Sequence, residues 1–114
     1  MILSLLVVVL LFVSSLSFNL KMSGAEIKLT KKVSEEVIKK LGAKSWPVWS
    51  CGVSKFPWTY SDQETCLLIS GKVTVTPKNG NPVTIEAGDM AVFPSGMSCT
   101  WDVAEALSKH YNFD

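Results

Sequence analysis

Phe56-Pro-Trp-Thr-Tyr-Ser-Asp-Gln-Glu-Thr-Cys-Leu-Leu-Ile-Ser-Gly71 is the stretch from which the fold is read. Trp58 and Tyr60 stand two apart, so on a strand their side chains share one face. Glu64 comes four residues later, and Cys66-Leu67-Leu68-Ile69 reads as a buried strand ending at Gly71. A second punctuated stretch answers the first: Glu86-Ala-Gly-Asp-Met-Ala-Val-Phe-Pro-Ser-Gly-Met-Ser-Cys-Thr-Trp101. In it a turn at Gly88-Asp89 precedes a short strand, Met90 to Phe93, and Pro94-Ser95-Gly96 turns the chain again.

Between and beyond these stretches the pattern is of short strands. Lys72 to Thr76 alternates, with Val73 and Val75 on one face. Asn79-Gly80 is a hairpin signal, and Val83 to Ile85 is the returning strand. Ser98 to Val103 puts Cys99, Trp101 and Val103 on one face, and Leu107 to Phe113 makes a last strand. Upstream, Glu26 to Thr30 alternates as an edge strand. Ser34 offers an N-cap, Glu35 and Glu36 fill the first helical turn, and Gly42 follows Leu41 as the stop of one short helix. Trp46 and Trp49 flank Pro47 and read as a plug for the end of a barrel, with a strand running from Val48 to Val53. Strands spaced about ten residues apart, with Gly and Pro turns, predict an all-β sandwich or barrel.

Composition bounds the function. With 114 residues the chain makes one domain, small enough that a second copy would help it bury its aromatics, and a homodimer paired through an N-terminal strand is expected. Eleven basic and ten acidic residues nearly cancel, which argues against a nucleic-acid or membrane-surface patch. The lysines from Lys28 to Lys44 read as a solvated face. Three cysteines, Cys51, Cys66 and Cys99, have no CxxC spacing and build no disulfide framework.

Residues 1–21 are set apart as an apolar N-terminal segment, and residues 22–114 form the single folded domain. Residues 1–17 read as a signal peptide that would route the chain to secretion. Alternatively, translation starts at Met22 and the protein stays cytoplasmic or organellar, or the segment is a marginal anchor. No other part predicts stable membrane insertion.

At these residues the chain resembles a small single-domain cupin, of the kind related to the cupin domain of (S)-ureidoglycine aminohydrolases, and most of all the histidine-poor cupins that include plant members. In the first cupin signature Gly52 stands for the opening glycine, Trp58 and Tyr60 for the two histidines, Glu64 for the glutamate and Gly71 for the closing glycine. In the second, Gly88, Pro94 and Gly96 match, while Cys99 and Val103 replace the histidine and the asparagine. The resemblance covers residues 44–113 and implies a double-stranded β-helix, a jelly-roll barrel, with the short helix packed outside it.

The same resemblance implies that a metal would be held by three histidines and the glutamate. All three histidine positions differ here, so no metal and no cofactor is expected. Trp58, Tyr60, Cys99 and Trp101 are expected at the barrel mouth with Glu64 as the charged group, either as a small-ligand site or as side chains that fill the barrel. In the ligand reading Glu64 and Tyr60 are the candidate catalytic residues. Cys99, with Met97 and Trp101 nearby, reads as an inert buried thiol, and His110 as a strand residue near the surface. Two functions follow. One is a non-metal cupin that binds a small metabolite or serves a structural or regulatory role. The other is a metal-independent acid/base enzyme, an isomerase or hydrolase, acting on a ureide-like or carbohydrate-like molecule.

Overall fold

A computed structural model describes residues 26–114. The apolar N-terminal segment, with its alternative readings as signal, anchor or upstream extension, lies outside the described residues. No helix among the described residues is long and apolar enough to cross a membrane.

Two long strands form the spine. They are β4 (Glu64–Pro77) and β7 (Ser98–Phe113), antiparallel along nearly their whole length. Each carries two short strands in succession on its other edge. β6 (Met90–Phe93) pairs with Glu64–Leu67 of β4, and β5 (Val83–Glu86) with Lys72–Val75. β2 (Val48–Cys51) pairs with Leu107–His110 of β7, and β3 (Ser54–Thr59) with Ser98–Val103. β1 (Lys28–Thr30) lies outside β6. One edge of this N-terminal strand, through which two copies were expected to pair, is thus taken within the chain.

The expected jelly-roll barrel is not what forms. The sheet is open, running β1-β6-β4-β7-β2, with β3 and β5 as branches. The reason lies in the spine. A strand that bends midway and serves two partners in turn folds the sheet over without joining its ends. The bend is local: the β4–β7 register shifts between Leu68 and Val73. Gly71 sits in it at φ +91°, and a Cβ there would meet the Ala106 carbonyl oxygen at 2.3 Å. A glycine read as the end of one strand is instead the bulge inside a longer one. With no barrel to plug, Trp46 and Trp49 part company: Trp46 packs under the helix, and Trp49 stands half-exposed on β2.

Both faces of β4 are covered, which is why Cys66-Leu67-Leu68 is buried without alternation. Cys66 and Leu68 join Val73, Val75, Ile85, Phe93, Trp101, Val103 and Leu107 in the main core. Leu67 faces the other way and meets its cross-strand partner Met90. Over them lies α1 (Glu35–Leu41), contributing Ile38, followed by a short 3-10 turn at Ala43–Ser45. The helix ends are those read from the sequence: Ser34 Oγ accepts from the Val37 N–H at 3.3 Å, and Gly42 closes the helix in the left-handed region at φ +65°. The alternation of Val73/Val75 and of Cys99/Trp101/Val103 also puts those side chains inside.

Asp89, fully buried, ties the chain before α1 to the β5–β6 turn. One oxygen, Oδ2, accepts from Lys31 Nζ at 2.6 Å and from the Glu86 N–H at 2.8 Å, and Oδ1 accepts from the Lys32 N–H at 2.9 Å. Lys32 itself is held at φ +47°. Burial alone pushes this carboxyl up, but the Lys31 ammonium and the two backbone donors outweigh it and hold Asp89 below the usual carboxylate range. A depressed folded-state pKa contributes stability above the unfolded value, near ~3.9, and that contribution is lost as pH falls through the folded pKa. Asp89→Asn is therefore expected to cost about 1–3 kcal/mol at pH 6. In urea titrations the gap to wild type should narrow toward pH 3, and a gap independent of pH would contradict this.

Candidate functional site

The inner face of β2, β3 and β7 is a ladder of cross-strand pairs. Trp49 on β2 lies opposite Lys109 on β7, and Phe56 on β3 opposite Trp101. Phe56 stacks on Trp101 at 6.1 Å between ring centroids, 18° from parallel, and Trp49 meets Trp101 edge-on at 6.3 Å. These residues wall a pocket of about 250 Å³, with Trp58, Tyr60, Glu64, Tyr111 and Phe113 completing it. That volume suits a small metabolite better than a nucleotide.

At its base lies an ion pair. Lys109 Nζ donates to Glu64 Oε2 at 2.5 Å, with side-chain exposures of 8 % and 5 %. The ammonium also lies over Trp101 at 4.8 Å and Trp49 at 5.3 Å, so aromatic faces supply the rest of its shell. Among the described residues Glu64 is its hydrogen-bond acceptor, which leaves two of its three N–H groups free of one.

Of the five residues predicted to bind ligand, the structure brings Trp58, Tyr60, Glu64 and Trp101 around the pocket, and Cys99 does not line it. Burial differs among these residues. Tyr60 and Trp101 are buried and join Phe93, on which Tyr60 stacks at 4.7 Å, whereas Trp58 is half-exposed at the mouth. His110 lies on the alternate face of β7 from Lys109, with Nδ1 donating to the Trp46 carbonyl at 3.0 Å. Lys109 is the candidate site residue that sequence reading missed. Its signal was parity: it falls in step with Trp101, Val103 and Leu107, all inward, where an unpaired lysine has no place.

Tyr60 accepts a hydrogen bond from the Trp101 indole at 3.1 Å. Burial, reinforced by the nearby Glu64 charge, pushes its phenol far above the ordinary value. Its phenol therefore stays protonated and does not act as a base. Burial also pushes Cys66 up to about 12 and raises Cys99, whose thiol donates to the Trp58 carbonyl at 3.6 Å. Both are inert thiols, while Cys51 is partly exposed. Iodoacetamide at pH 8 is accordingly expected to label Cys51 first. Equal labelling of all three in folded protein would show that the core opens more readily than its packing implies.

Comparison with known proteins supplies the family. Residues 38–111 match the EutQ-like cupin domain. The chain belongs to the EutQ-like cupin family. A DUF861 family protein of Thermotoga maritima is similar at 43 % identity and a TM-score of 0.75, over 78 % of this chain and all of that one. The EutQ protein of Clostridium difficile shares the fold at 20 % identity and a TM-score of 0.52, over 56 % of this chain and 50 % of its own. A DUF861 family protein of Pseudomonas syringae, at 26 % identity and a TM-score of 0.52, is matched over 56 % of this chain and 28 % of its own. Among curated proteins none matches.

In this cupin the residues at the signature positions do not fit a divalent metal. The indole of Trp58 has no lone pair to give. Tyr60 and Cys99 are held protonated by burial, and Glu64 already faces a cation, the Lys109 ammonium. No cluster of three or more His, Cys, Asp or Glu forms among the described residues.

Proposed function

We propose that this cupin is a metal-independent acid/base enzyme acting on a small ureide-like or carbohydrate-like molecule. The reading rests chiefly on the buried Glu64–Lys109 pair at the base of an aromatic-walled pocket. A carboxylate and an ammonium in contact set a proton acceptor beside a proton donor, the pairing that general acid–base catalysis uses. Trp49, Phe56 and Trp58, the lining aromatics that the core does not bury, offer flat faces to a planar group or to the apolar face of a sugar ring. Tyr60 adds a phenol that stays protonated and orients the ligand by donating to it.

A thermal-shift screen of ureides, sugars and small hydroxy-carbonyl compounds tests the reading on wild type, Glu64→Gln and Tyr60→Phe. A compound that stabilises wild type, loses most of that effect in Glu64→Gln and is turned over by wild type alone is the expected result. Stabilisation without turnover would make the protein a metabolite-binding or regulatory module. A wild type that no compound stabilises would leave the aromatics as filling only.

A further inference from the structure

We infer that the Glu64–Lys109 pair works on a neutral carbonyl compound bearing a hydrogen on the adjacent carbon, moving that hydrogen as a proton. The inference rests on the acid/base reading of the same pocket and narrows it to one reaction class, carbonyl isomerisation through an enol.

Three observations carry it. The first is spacing. Lys109 Nζ and Glu64 Oε2 are 2.5 Å apart. In a carbonyl compound the oxygen and the adjacent carbon are separated by about 2.4 Å, from bonds of about 1.23 and 1.52 Å meeting at a trigonal carbon. The donor and the acceptor therefore lie side by side at the span of one O=C–C–H unit. The second is charge. Pair and pocket are together neutral, so a neutral substrate meets no uncompensated charge. The third is burial. Both side chains of the pair are under a tenth exposed, so water has little access to the atoms that would exchange protons with a bound substrate. A proton can then pass directly between the pair and the substrate.

The step balances within the pocket. Glu64 takes the proton from the carbon. The electrons of that C–H bond form the carbon–carbon double bond, and the carbonyl π pair moves onto oxygen. The oxygen takes a proton from Lys109 Nζ. The products are a neutral enol, a neutral carboxylic acid and a neutral amine. Glu64 then gives its proton to the neighbouring carbon of the enediol formed from a hydroxy-ketone, while the Lys109 amine takes the proton of the hydroxyl on the carbon first deprotonated, which gives the isomer and restores the ion pair. Nothing is oxidised or reduced overall.

Exchange of carbon-bound hydrogen for deuterium reads this step. The full chain is incubated in D2O with hydroxyacetone, dihydroxyacetone and glyceraldehyde, and loss of the C–H signals is followed by proton NMR. Wild type is expected to speed exchange of at least one of them by about 100-fold or more, the ordinary scale of general acid–base catalysis. Glu64→Gln should fall to the buffer rate. Lys109→Arg keeps a cation against Glu64 but holds its proton too tightly to give it up. Its exchange should drop at least tenfold, while its melting temperature, measured on the same sample, stays near that of wild type. Wild type no faster than Glu64→Gln, or Lys109→Arg as fast as wild type, overturns the inference. A compound that binds through Glu64 and is consumed without C–H exchange overturns the proton step alone and leaves the acid/base reading standing. A wild type showing neither a thermal shift nor exchange overturns both.

Discussion

Lys109→Ala is expected to cost about 3–5 kcal/mol of folding stability, because it strands a carboxylate in a site that water scarcely reaches. Glu64→Gln combined with Lys109→Met should cost far less, staying within about 1 kcal/mol of wild type or exceeding it. The contrast separates what the pair does for stability from what it does for chemistry. Breaking a buried pair leaves one charge without a partner, whereas replacing both charges with groups of similar size removes the desolvation penalty as well. In urea unfolding the single and double variants should therefore be strongly non-additive. If the double variant is as unstable as Lys109→Ala, packing around the lysine stem and not charge sets the cost.

The second large effect is at Trp101. Its side chain is 2 % exposed, stacks on Phe56, touches Phe93 and Trp49, and donates to Tyr60. Trp101→Ala is expected to cost about 3–5 kcal/mol, the loss of a buried aromatic plus the cavity it leaves. Trp58 is 51 % exposed, and Trp58→Ala should cost under about 1 kcal/mol. Urea midpoints of the two variants decide this. Equal losses would mean that the mouth of the pocket is packed as tightly as its floor.

The sequence was most legible where local chemistry decides structure. The Ser34 cap, the Gly42 stop and the inward phase of Val73, Val75, Cys99 and Trp101 could all be read from single residues and their spacing. Closure of the sheet could not. Gly71 and the segment Ala104-Glu105-Ala106 look like strand ends, and only pairing across the spine shows that β4 and β7 continue through them. Cupin punctuation therefore identified the family without fixing how far the sheet curls.

The candidate site was legible in part for a related reason. Trp58, Tyr60 and Glu64 lie close in sequence and within one signature, so their convergence was readable. Lys109 lies 45 positions from Glu64, and the long-range β4–β7 pairing brings the two strands together. Its inward phase was visible. Its partner was not, because a lysine's flexible stem lets the ammonium reach acceptors several residues away along the neighbouring strand. Cys99 shows the converse: its signature position and inward phase are right, but its thiol is turned to the Trp58 carbonyl and stays out of the pocket.

Glu64 and Lys109 are proposed as a working site and not a relic of packing. The most direct measurement compares thermal shifts of wild type and the Glu64→Gln/Lys109→Met double variant against one panel of ureides, sugars and hydroxy-carbonyl compounds. The double variant should be folded, so its silence can be interpreted. At least one compound is expected to raise the melting temperature of wild type and leave the double variant unmoved. Compounds that stabilise both proteins equally, or none that stabilises wild type, would contradict the claim.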